Sequence, residues 1–116
     1  MNKKIFCFDL DNTICTTIKK NYFSAKPKIK AIKLINKLYS RGHIIKIFTS
    51  RFMGRNHENQ KKAYKQGLIK TKLQLKKWGL SYNELLMGKP SYDIYIDDKA
   101  YRYNNDWINF YKKYIN

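Results

Sequence analysis

The chain reads as an α/β domain built on a doubly wound, mostly parallel sheet with helices on both faces. Three observations lead there. Short β-branched and aromatic runs alternate with stretches of helical period, the pattern of strand–helix–strand units. Five of the eight acidic residues, Asp9, Asp11, Asp93, Asp97 and Asp98, gather beside apolar runs, at the strand ends where open α/β sheets keep their ligand crevice. The 116 residues, 43% apolar and 16% aromatic, suffice for one core and hence one domain, 1–116.

The elements follow in order. Residues 4–8 form the first strand and run into Asp9-Leu10-Asp11-Asn12-Thr13. Residues 14–24 are β-rich with a polar turn and predict a small flap hairpin. Pro27 suits the first turn of a helix whose stripe is Ile29, Ile32, Ile35, Leu38 and Tyr39, closed by Arg41-Gly42. A second strand, 43–48, ends in Thr49-Ser50-Arg51. After a polar stretch over 51–60, a helix is expected to break near Gly67 and resume from a Thr71 cap to Trp78, with Gly79 as terminator. Leu85-Leu86-Met87 makes a third strand before Gly88-Lys89-Pro90, and 94–96 a fourth before Asp97. A last helix starts near Asn105-Asp106 and carries Trp107, Phe110 and Tyr111.

Charge is lopsided. Twenty-five Lys plus Arg against eight Asp plus Glu give +17, which invites an anionic partner. The 21 Lys, 14 Ile, 11 Asn and 10 Tyr beside only 4 Arg fit an A/T-rich coding bias better than a dedicated polyanion surface, because the lysines are scattered. Cys7 and Cys15 have no metal or disulfide spacing, and Cys7 reads as a core residue. No apolar run reaches membrane-helix length, and the lysine-led start meets Asp9 too early for a signal peptide. The expectation is a cytoplasmic protein with no membrane partner.

The polar strand ends fall in a fixed order: Asp9 and Asp11, then Thr49, then Lys89, then Asp97 and Asp98, with Asp9, Thr49, Lys89 and Asp97 spaced 40, 40 and 8 residues apart. Asp-x-Asp alone also suits a turn or the metal–nucleotide site of a glycosyltransferase, but that site needs no Lys followed by an acidic pair. In these four motifs the chain resembles phosphatases of the haloacid dehalogenase superfamily over residues 5–99. The filler residues Thr49-Ser50-Arg51, Trp78, Gly88-Lys89-Pro90 and Asp93–Ala100 are similar to those of small bacterial capsule-biosynthesis phosphatases. The fold implied is Rossmann-like. It is also capless, since the gap over 50–88 holds about one helical unit.

The chemistry implied is hydrolysis of a phosphomonoester. Phosphoryl transfer needs an in-line nucleophile, neutralised charge and a proton for the leaving group. The resemblance makes Asp9 the nucleophile and Asp11 the general acid and base, with a pKa raised by its neighbour. Thr49, Ser50, Lys89 and Arg51 would bind the phosphate, with Arg55 nearby. Asp9, Asp97 and the backbone carbonyl of Asp11 would hold Mg²⁺, whose preference for oxygen ligands matches the set. Asp98 and Thr13 would orient these groups from behind. Asp93 reads as a capping residue, and His43 and His57 have no task in the scheme.

Three functions follow. The leading one is a Mg²⁺-dependent phosphatase acting on a sugar phosphate or capsular polysaccharide precursor, with a homo-oligomer lending a lid to the open cleft. The second keeps the chemistry and takes a polynucleotide 3′-phosphate; nucleic acid is the less favoured partner. The third is a nucleic-acid-binding relic without turnover, which has no need of the complete carboxylate set.

Overall fold

A computed structural model describes residues 2–115. Its elements are β1 (Ile5–Phe8), β2 (Cys15–Thr16), β3 (Lys26–Pro27), α1 (Ile29–Ser40), β4 (Ile44–Thr49), α2 (Gln60–Lys77), β5 (Glu84–Met87) and α3 (Trp107–Tyr111). β1, β4 and β5 form a parallel sheet in that spatial order, with Phe8 beside Ile47 and Thr49 beside Met87.

Strand alternation divides the sheet into two unlike faces. Phe6, Phe8, Ile45, Ile47 and Leu85 point into a core shared with Ile35 and Leu38 of α1, Leu75 of α2 and Trp107 of α3. Ile5, Cys7, Ile44 and Leu86 take the opposite parity and are exposed. The helices therefore cover one face, not both as the sequence led us to expect. Cys15, not Cys7, is the core cysteine.

The fourth strand expected at 94–96 does not form among the described residues. Ile94 and Ile96 are 78% and 91% exposed, and β1 pairs with β4 alone. With nothing added on its far side, the sheet stays at three strands. The hairpin expected within 14–24 is replaced by a pairing whose return strand lies beyond it. β2 pairs antiparallel with β3, so Pro27 is a strand residue and Lys28 caps α1. The buried stripe of α1 is Ala31, Ile32, Leu34, Ile35 and Leu38; Ile29 and Tyr39 stay largely exposed.

Glycine in mid-helix usually weakens it, yet α2 runs unbroken through Gly67. The reason is tertiary: a Cβ on Gly67 would meet the Phe52 ring at 2.4 Å. Asn59 caps α2 by accepting from the Lys62 N–H at 3.0 Å, which leaves Thr71 inside the helix and buried. The helix ends at Gly79 as expected, with φ at +73°.

His43 ties the sheet to the C-terminal segment. Its Nδ1 accepts from the Lys4 N–H at 3.0 Å, so Nε2 is left to donate to the Tyr114 carbonyl at 2.9 Å. The ring thereby links β1, the start of β4 and the C-terminal segment. No helix of the described residues is long and apolar enough to cross a membrane.

Candidate functional site

The site grows from the turn that follows β1. Leu10 is fully buried and its carbonyl accepts from the N–H groups of Thr13 and Ile14 at 3.2 and 2.9 Å. Asn12 takes the left-handed conformation, φ +62°, one of the few residue types that tolerate it. An apolar anchor inside a tight turn places Asp9 and Asp11 on either side of Leu10.

Asp9 meets Lys89. After β5, Gly88 at φ +92° turns the chain, and the Lys89 N–H donates to the Thr49 carbonyl at 3.1 Å. That bond carries the Lys89 side chain back over the sheet, its Nζ 3.5 Å from Asp9 Oδ1. The other oxygen, Oδ2, accepts from the Thr13 hydroxyl at 3.2 Å. Burial pushes the Asp9 carboxyl above its ordinary value, and Lys89 and the turn's donors pull it back only in part. For Lys89, burial works downward, but the Tyr92 side chain and the charge of Asp9 outweigh it and leave the ammonium above its usual range. The Tyr92 and Tyr95 rings flank that ammonium, with centres 5.2 and 5.1 Å away.

Asp11 meets a different cation. Arg51 Nε and Nη2 donate to its two oxygens at 2.9 Å each, and the Thr17 hydroxyl donates to Oδ1 at 2.5 Å. Arg51 Nη1 donates to Gln74 Oε1 at 2.6 Å, and Gln74 in turn donates to the Tyr22 carbonyl at 2.9 Å. The guanidinium has no accessible surface and lies 5.1 Å from the Tyr22 ring centre. It is therefore not the phosphate clamp expected of it: its donors are spent inside the protein, on Asp11.

Other expected residues are placed as follows. Thr49 is buried, and its hydroxyl accepts from the Arg51 N–H at 3.1 Å, so it steadies the β4 turn rather than facing a cleft. The Ser50 carbonyl accepts from the Met53 N–H in that same turn at 3.0 Å. Arg55 stacks on Phe52, 4.6 Å from the ring centre. Asp97 and Asp98 are exposed. Asp97 Oδ1 accepts from the Lys99 N–H at 2.8 Å, a bond that holds its carboxyl below the ordinary value.

The sequence reading missed the Asp11–Arg51–Gln74–Tyr22 chain. One signal was available: in a chain with 21 lysines and 4 arginines, an arginine marks a place where a planar two-pronged donor is needed.

The chemistry of Asp9, Asp97 and the Asp11 carbonyl, all hard oxygens, suits Mg²⁺. Their arrangement does not fit it as it stands. Among the described residues no three His, Cys, Asp or Glu side chains converge on one point, and Asp97 sits on the exposed segment after β5.

What is assembled is a partly exposed carboxylate, its pKa raised by burial, beside one buried ammonium, with a second carboxylate held by Arg51 nearby. No family model matches the chain. No curated protein matches it either. Among solved structures it is similar to the crystal structure of an MCSG target from Vibrio cholerae, at 28% identity over 93% of this chain and 95% of that one, with a TM-score of 0.79. The likeness shows that the α/β architecture extends across nearly the whole chain.

Proposed function

We propose that the protein is a phosphatase of the haloacid dehalogenase type, acting on a small phosphomonoester such as a sugar phosphate or capsular polysaccharide precursor. The observation that carries the reading is the Asp9–Lys89 pair at the carboxyl end of the sheet, 3.5 Å apart with Asp9 partly open to solvent. A carboxylate beside a single ammonium can attack phosphorus while the ammonium offsets charge on the phosphoryl oxygens.

In the first step an Asp9 oxygen bonds to phosphorus and the ester P–O bond breaks, leaving a phosphoryl-aspartate and an alkoxide that takes up a proton. In the second, water attacks phosphorus, the acyl phosphate bond breaks, and Asp9 and inorganic phosphate are released. Both Asp11 oxygens accept from Arg51, so to take the proton of that water one of them must first leave the guanidinium. To protonate the alkoxide in the first step it must gain a proton and free one oxygen from Arg51.

The reading carries two further requirements. Mg²⁺ would be its cofactor, and Asp9, Asp97 and the Asp11 carbonyl, which do not converge as they stand, would be the residues to hold it. Residues 93–98 must then come alongside the unpaired edge of β1, which would extend the sheet toward the doubly wound form. Hydrolysis of 4-nitrophenyl phosphate with Mg²⁺ is the direct test. We expect turnover that excess chelator removes, and an Asp9→Asn protein that folds but retains below about one per cent of it. Full activity of that variant would sink the reading.

A second reading, a polynucleotide 3′-phosphatase, draws on one observation: α2 carries seven lysines and no acid. Binding to a 3′-phosphorylated oligonucleotide that weakens steeply with salt would favour it.

A further inference from the structure

A cavity of about 490 Å³ lies at the carboxyl end of β5, and the catalytic scheme makes no use of it. Phe48, Met87 and Tyr64 supply apolar lining, Lys61 and Lys65 a basic rim, and no acidic residue takes part. Gln60 closes one wall by donating from Nε2 to the Gly88 carbonyl at 3.2 Å.

Its place is set by the sheet. Gly88 lines the cavity, and the next residue, Lys89, reaches Asp9. β5 is the second neighbour of β1 across β4, and adjacent strands lie about 4.8 Å apart, so the β5 wall of the cavity is about 10 Å from Asp9. That is the length of one nucleoside-sized group.

The lining selects the chemistry of the occupant. A sugar ring is held by a fan of hydrogen bonds, and the uncharged polar groups here are the Tyr64 hydroxyl and Gln60, which already spends an N–H on Gly88. Two aromatic rings and a thioether favour a flat apolar ring. Two lysines one helical turn apart, with no acid among them, favour a negative charge at its margin.

We infer that this cavity is the leaving-group subsite, and that it takes a planar aromatic or heteroaromatic ring bearing a second anionic group, about 10 Å from the phosphoryl group on Asp9. The word "leaving group" rests on the phosphatase reading; the binding site itself does not. The substrate then extends beyond a single sugar ring, and a bare monosaccharide phosphate leaves the cavity empty.

The test separates binding from turnover by using the Asp9→Asn protein, with adenosine 3′,5′-bisphosphate as the ring-and-anion probe and glucose 6-phosphate as the ring-poor one. We expect the bisphosphate to bind at least tenfold more tightly, with amide NMR shifts at residues 60–65 and 87–88. Tyr64→Gln, and separately Lys61→Gln with Lys65→Gln, should erase that preference while leaving the affinity for inorganic phosphate unchanged. These side chains are exposed, so the fold should survive the changes, which unchanged thermal unfolding would verify.

Equal affinity for the two probes overturns the inference, as do shifts elsewhere or a preference that the variants keep. Bisphosphate bound in the cavity by a protein whose wild type hydrolyses no phosphomonoester upholds the site and sinks the phosphatase reading instead. Wild-type turnover of glucose 6-phosphate as efficient as that of the bisphosphate, and unaffected by Tyr64→Gln, does the reverse.

Discussion

Arg51 has no accessible surface and grips both oxygens of Asp11, Nε on Oδ2 and Nη2 on Oδ1, each at 2.9 Å. The pair joins the turn after β1 to the turn after β4. Through Gln74 it also reaches α2, so one guanidinium braces three segments around the candidate site. Lysine could not take its place, because a single ammonium cannot bond two carboxylate oxygens and an amide in one plane.

Arg51→Gln should accordingly destabilise the protein by about 3 kcal/mol, the usual consequence of removing one partner from a buried pair. Arg51→Lys should recover less than half of that. Urea denaturation of the three proteins measures it, and a loss below about 1 kcal/mol would show that solvent already supports Asp11.

Gly67→Ala tests packing against propensity. Alanine favours the helix by about 1 kcal/mol, but its Cβ would sit 2.4 Å from the Phe52 ring, and overpacking costs about 1–3 kcal/mol. The substitution should lower the melting temperature in the wild type and raise it in a Phe52→Ala background. A double-mutant cycle with no coupling between the two positions would remove Phe52 as the reason for the glycine.

Thr71 Oγ1 is buried and, among the described residues, lacks a hydrogen-bond partner. Valine keeps the shape and removes the unpaired hydroxyl, so Thr71→Val should stabilise by about 1 kcal/mol. Thermal unfolding decides the sign; a destabilised variant would mean that the hydroxyl is satisfied in solution.

Asp9 gives the stability a definite pH signature. Its folded-state pKa is raised above 3.8 by burial, so its stabilising contribution is complete below that pH and is lost as pH rises through the folded value. Asp9→Asn abolishes this dependence. Its stability relative to wild type should rise from about pH 4 and level off once Asp9 is ionised. Lys89→Gln removes the main influence lowering that pKa and should move the titration of Asp9 further up, as read by carboxyl NMR.

The pattern of strands and helices was legible in the sequence because it is local. Alternation marks β1, β4 and β5, a helical stripe marks the core of α1, and glycines stop α1 and α2. The order of Asp9, Asp11, Thr49 and Lys89 at strand ends was legible for the same reason. Parallel strands deliver their carboxyl ends to one edge, which is what brings Asp9 and Lys89 together.

Partners between segments were not legible. Whether Gly67 breaks a helix or admits a ring depends on Phe52, fifteen residues away in sequence. Whether Arg51 faces a substrate or a carboxylate depends on Asp11 and Gln74, which arrive from two other segments. The alternation at 94–96 signals a strand, but a strand exists only where a neighbour supplies its hydrogen bonds, and β1 pairs on its other side alone. The sequence by itself determined the order of β1, α1, β4, α2 and β5 and which polar residues follow the strands. The tertiary structure decided which cation each carboxylate meets, because a charge takes its partner from whatever the fold brings within about 4 Å.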